Sequence, residues 1–190
     1  MKNYNLPLTV HNGDKLLKIR DKCDYRIVLK CIKALKDNEL TDDLKGKYAL
    51  IIFYENYEDI VDVQSAINEM VKIIGYDEEP NQQETSKHAL MDWEHDFKQI
   101  APPISRVLGY SVRNPENYTH WYDFVGAYME IGECSWATII SIRDKKQKHK
   151  KLEKWEEEFC RERPEMINLP TKFTKEEEEF FSLFEQKGEI

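Results

Sequence analysis

Two short segments carry the residue types from which a metal or acid–base site can be assembled. Asp92 and His95 lie three apart, and so do His120 and Asp123. A carboxylate and an imidazole at that spacing share one helix face, and helical bundles hold metal ions with such pairs on facing helices. Each segment is also aromatic, with Trp93 and Phe97 beside the first pair and Trp121 and Phe124 beside the second. His95 falls about 200° around the helix from Trp93, so an inward tryptophan sends the histidine towards water or a partner. Helix-surface contacts, or a half-buried hydrogen-bonded histidine, are the simpler reading of both pairs. No metal ligand is assigned.

Other chemistries have less to stand on. There is no Gly-x-Ser-x-Gly and no strand-turn-helix to carry a strained nucleophile, and seven glycines are scattered singly instead of forming a phosphate loop. Cys23, Cys31, Cys134 and Cys160 contain no Cys-x-x-Cys pair and read as small buried apolar residues. No catalytic residue and no cofactor is assigned, and an enzyme is not expected. A basic run, Arg143, Lys145, Lys146, Lys148, Lys150, Lys151 and Lys154, can track a nucleic-acid backbone or serve as a solvated helix face. No aromatic residue interleaves with these lysines to stack on bases, and a net charge of −8 repels phosphate backbones, so nucleic acid is the second reading. Near the carboxyl end, Phe180, Phe181, Leu183 and Phe184 follow four glutamates. That cluster either folds back on the domain or serves as a docking peptide for a partner groove.

The elements that must position these residues are mostly helices. Leu6, Leu8 and Val10, an Asn12-Gly13 turn, then Leu17 and Ile19 predict a β-hairpin over 6–20. Asp24 can cap a helix from Tyr25 to Lys36, with Tyr25, Val28, Leu29, Ile32 and Leu35 on its apolar face. Thr41 opens a second helix reaching Tyr54, and Ile60, Val63, Ile67, Met70 or Val71, and Ile74 mark a third that Gly75 ends. The acidic and amide-rich stretch 76–87 reads as a flexible loop.

The two aromatic segments then form the centre of the core, with Trp93, Phe97, Trp121 and Phe124 as its signature. Pro102-Pro103 interrupts the first of them, and because the stripe Trp93, Phe97, Ile100, Ile104, Val107 stays in register across the prolines, a kink is expected instead of a turn. Asn117 or Thr119 can cap the second. From Ser135 a single long helix is expected to run past Phe159 and stop at Pro164, leaving 171–190 as an amphipathic tail. The fold class is all-α: a bundle of six to seven helices with a small N-terminal hairpin, one domain over 1–170.

Composition agrees with that reading. A chain of 190 residues with 41% hydrophobic and 34% charged residues can bury one core inside a well-solvated exterior. No apolar run approaches the roughly 20 residues of a membrane span, and Met1 to Leu6 lacks the layout of a secretion signal, so a cytosolic protein is expected.

Four segments together resemble the bacteriophage gene-product-fifteen family of phages and prophages of Gram-positive bacteria. They are Cys23-Asp24-Tyr25-Arg26, Asp92-Trp93-Glu94-His95-Asp96, His120-Trp121-Tyr122-Asp123-Phe124, and Ile139 to Arg143 with the lysines that follow. The resemblance spans about Leu6 to Leu169. It implies a non-enzymatic, helical, self-associating tail assembly chaperone, made in the host cytoplasm and absent from the mature virion, that coats the tape measure protein before the tail tube polymerises. It supplies no catalytic residues. Pro102-Pro103 and the residues after Pro170 depart from the family pattern.

Overall fold

The computed structural model describes residues 5–76 and 90–170. Strands β1 (Thr9–Asn12) and β2 (Lys15–Lys18) pair antiparallel with Val10 opposite Leu17, and both of those side chains turn inward. Gly13 takes the positive φ of 63° that the tight connection requires. A two-stranded hairpin is marginal alone, and two polar residues pin this one to the helices. The Asn12 side chain is buried, accepts from the Val61 and Asp62 amides at 2.8 and 2.9 Å, and donates to the Asp62 carbonyl at 2.7 Å. Arg20 donates to the carbonyls of Ile51, Ile52 and Tyr54, which the end of the second helix leaves without partners.

Helix α1 (Tyr25–Leu35) starts where the Asp24 carboxylate accepts from the Arg26 amide at 2.9 Å. It packs most extensively against α2 (Asp42–Phe53), at whose N-cap Thr41 makes no side-chain bond. Helix α3 (Val63–Ile74) is capped by Asp62, so Ile60 of the expected stripe lies before the helix. Of the loop expected over 76–87 only Tyr76 is described, and the tail 171–190 lies outside the described residues.

Helix α4 (Trp93–Leu108) passes through Pro102 and Pro103 as one element. Pro102 has no N–H for the Lys98 carbonyl, and Arg113 supplies the missing donor at 3.0 Å from the loop beyond. Gly109, at φ 77°, ends the helix. Helix α5 (Trp121–Met129) is capped by His120, one residue later than Thr119 and three later than Asn117.

The single helix expected from Ser135 up to Pro164 is two: α6 (Ser135–Gln147) and α7 (Lys154–Glu162), followed by the short α8 (Pro164–Ile167). The reason is phase. On a straight rod Leu152, Trp155 and Phe159 would sit roughly 160–220° around from Ile139, on the wrong side for one core. The chain reverses instead in a Schellman turn, with the amides of His149 and Lys150 on the carbonyls of Lys146 and Lys145 and His149 at φ 51°. A capping box between Glu153 and Glu156 restarts it. The described residues thus form eight α-helices and a small hairpin, mainly helical as the pattern predicts, with Trp136, Ile139, Phe124, Ile100, Phe53 and Met70 in the core.

Candidate partner-binding groove

The apolar positions of α1 cover an unusually wide arc. From Ala34 round through Cys31, Val28 and Ile32 to Leu29 they span roughly 220° of the circumference, about twice the stripe a single neighbour needs. One part of the arc, Ile27, Val28 and Cys31, is buried; Leu29 and Ile32 are only partly covered. On α4 the arrangement is similar, because Ile100 and Ile104 are buried while Trp93 and Phe97 are half-buried. The core signature therefore needs correction. Trp121 and Phe124 lie inside, at 3% and 0% exposure, whereas Trp93 and Phe97 stand at the core's edge with one side open.

The open sides of α1 and α4 face a groove of about 480 Å³. Leu29, Ile32, Trp93 and Phe97 give it an apolar floor. Behind them the rings are braced: Tyr25 stacks on Phe124 at 4.2 Å, and Trp93 meets Tyr128 and Trp121 edge-on at 5.3 and 6.0 Å. A braced ring loses little further freedom on binding, which makes such a floor a ready anchor site. The rim carries five cations, Arg26, Lys30, Lys33, Lys36 and Arg113, against the two carboxylates Asp92 and Glu94. Lys33 reaches Glu94 at 2.6 Å and Lys36 reaches Asp92 at 3.8 Å, across the mouth. Arg26 is held by the Val112, Asn114 and Asn117 carbonyls, fixing its head beside the loop after α4.

Of the carboxylate and histidine pairs, Asp92, His95 and His120 take up structural duties. Asp92 caps α4, accepting from the amides of Glu94 and His95 at 3.0 Å each. His95 contacts Asp96 at 2.8 Å. His120 is fully buried; its Nδ1 accepts from the Tyr122 amide at 3.0 Å and its Nε2 faces the Pro7 carbonyl at 3.3 Å, which together place the proton on Nε2. Burial lowers its pKa, outweighing the Pro7 carbonyl, Asp123 and Asp24. Asp123 is exposed. Among the described residues no three of His, Cys, Asp and Glu gather to hold an ion. Burial pushes the thiols of Cys23 and Cys31 up to about 12, which suits packing and not nucleophilic attack.

The basic run is not one face. Arg143 leaves it altogether: its side chain is 5% exposed and forks onto Asp96 at 2.7 and 2.8 Å. It also donates to the carbonyls of Leu90, Met166 and Ile167, tying α6 to α4 and α8. For Asp96 burial favours the neutral acid, but the bonds from Arg143, the Asp92 amide and His95 prevail and hold the carboxyl below its usual range. Lys145 is taken by Glu156 at 2.7 Å, Lys146 by Asn168 at 3.1 Å and Lys148 by Asp144 at 2.6 Å. Lys150 and Lys151 fall in the turn and Lys154 opens α7, all three exposed. Phe180, Phe181, Leu183 and Phe184 lie outside the described residues.

The sequence reading missed the pairing of Leu29 and Ile32 with Trp93 and Phe97. The overwide arc of α1 was the available signal, since one helix neighbour cannot cover it. Among the described residues no helix is long and apolar enough to cross a membrane. No curated protein and no solved structure matches the chain. The sequence model of the family described as Bacteriophage Gp15 protein matches residues 5–169, which takes in the hairpin, both walls of the groove and all eight helices. The chain belongs to that bacteriophage family.

Proposed function

We propose that this phage protein is a tail assembly chaperone that seats apolar helical segments of the tape measure protein in the α1–α4 groove, self-associates along that rod, and keeps it soluble until the tail tube forms. It does this in the host cytoplasm, without catalysing a reaction or using a cofactor, and stays out of the mature virion. The observation that carries the reading is the groove itself: a rigid aromatic and aliphatic floor inside a charged rim, on a protein whose net charge is −8. A groove of this size takes two or three large side chains, the usual anchors of an amphipathic helix. A long apolar helix aggregates if left bare, and a strongly acidic coat supplies the repulsion that prevents it. Weak contacts repeated along the rod gain strength by avidity, so no single groove has to bind tightly.

Co-expression with the tape measure protein tests it. The two are expected to purify together, and Leu29→Glu, which places an unpaired charge on the groove floor, is expected to separate them. A tape measure protein that stays soluble alone, or is recovered equally with the variant, would refute the assignment.

A further inference from the structure

We infer that the α1–α4 groove selects its occupant by charge as well as by apolar anchors, taking an amphipathic helix of another chain that carries carboxylates within a turn of those anchors and sets them against Lys30 and Arg113. This rests on the groove as the surface that binds a helical partner, and it names the chemistry of that partner.

The charge on the rim is uneven. Helices α1 and α4 cross the groove in opposite directions, since Tyr25 stacks on Phe97 at 6.3 Å while Lys33 and Lys36, roughly two and three turns further along, meet Glu94 and Asp92. At that end each cation has its own carboxylate. At the other end the balance fails. Arg26 is spent on Asp24 at 3.1 Å and on three backbone carbonyls. Arg113 donates to the Lys98 carbonyl at 3.0 Å and holds its guanidinium over the Phe97 ring, 6.0 Å from its centre. Lys30 is exposed. Among the described residues neither Lys30 nor Arg113 is paired with a carboxylate.

Two uncompensated cations thus border the apolar floor of a molecule whose net charge is −8. The whole-molecule field repels acidic chains, so an acidic partner gains only within a Debye length of these two side chains, about 10 Å at 0.1 M salt. The dimensions agree. From Arg26 to Lys36 α1 spans about 15 Å, the length of roughly ten helical residues. A helix seating two or three anchors on Leu29, Ile32, Trp93 and Phe97 has about one turn left for the cationic end. Exposed ion pairs there are of modest strength, so they choose among apolar helices while the floor supplies the affinity.

Two synthetic amphipathic helices of about 16 residues, blocked at both ends, test this against the full-length protein by fluorescence anisotropy. They share leucine and phenylalanine anchors and differ in the following turn, which holds glutamates in one and lysines in the other. The glutamate peptide is expected to bind at least about tenfold more tightly at low salt, with the ratio shrinking as salt is raised. Lys30→Glu is expected to remove most of that preference, and Lys30→Glu with Arg113→Glu to reverse it. Lys72→Glu makes the same change in net charge from an exposed site on α3 outside the groove, and is expected to leave the ratio as it was. Leu29→Gln, which adds no charge, should weaken both peptides alike. Equal binding of the two peptides, lost with Leu29→Gln, would overturn the charge selection and leave the groove as a binding surface. A preference that Lys72→Glu lowers as much as Lys30→Glu does would also overturn it, assigning the effect to net charge. Binding that Leu29→Gln leaves intact, or no binding of either peptide, would overturn the groove reading and the charge selection with it.

Discussion

Replacing Arg143 with leucine probes the link that joins α6 to α4 and α8. The guanidinium makes two bonds to Asp96 and three to backbone carbonyls, with both side chains at 5% exposure or less. Removing one partner of a buried ion pair strands the other charge and costs about 3–5 kcal/mol. For a chain of this length that lowers the melting temperature by roughly 10 °C. Because the loss is mostly the stranded carboxylate, Asp96→Leu combined with Arg143→Leu should be less destabilised than the two single changes added together.

The pH dependence has a definite sign. The folded carboxyl of Asp96 sits below its ordinary value of 3.8, so the pair's contribution is complete above that value and is lost as pH falls through the folded one. Urea unfolding followed by circular dichroism should show a gap between the native protein and Arg143→Leu that is widest near pH 7 and narrows on acidification, first as the stranded Asp96 of the variant, pushed upward by burial, takes up a proton, and then as the native carboxyl does. A gap under about 1 kcal/mol at pH 7 would mean the pair is solvated and the account of the core is wrong.

Three further perturbations follow from the same geometry. His120 is buried as a neutral cap with a lowered pKa, so its contribution is complete above about 6.5 and fades on acidification; His120→Asn keeps an N-cap acceptor and should flatten the urea midpoint between pH 7.5 and 5.5. Equal slopes for both proteins would refute the burial of His120 as a neutral ring. Gly109→Ala meets no atom within 4 Å, yet φ 77° alone should cost about 1–2 kcal/mol by denaturant titration, and a neutral result would deny the left-handed cap. With Arg143 buried and three lysines engaged, binding to duplex DNA at physiological salt should be no tighter than the non-specific range of about 10⁻⁴–10⁻⁶ M by mobility shift. Tighter binding that Lys150→Glu with Lys151→Glu removes would restore the nucleic-acid reading.

Local signals in the sequence located most elements, because they rest on neighbours along the chain. Asp24 caps α1, Gly75 ends α3, and the Asn12-Gly13 pair turns the hairpin. The failures share one cause: they depend on what stands across from a residue. Arg143 looked like the first of seven surface cations because its partner, Asp96, is 47 positions away. Ring size alone puts Trp93 and Phe97 in the interior, and only the placement of α1 reveals that part of each is left uncovered. The break between α6 and α7 was in principle legible, since the stripes on either side are about half a turn out of phase. His120 as a cap was not, because the ring accepts only through an unprotonated nitrogen, and the Pro7 carbonyl that faces the other nitrogen comes from a residue remote in the sequence.

The most direct test of the groove as the working surface is affinity capture of the tape measure protein by this chain, comparing the native sequence with Leu29→Glu and with Val61→Glu, an exposed site outside the groove. All three proteins should melt within a few degrees of one another. Near-equal recovery with the native chain and Val61→Glu, and at least tenfold less with Leu29→Glu, is the predicted result. Recovery that Leu29→Glu leaves intact would contradict it.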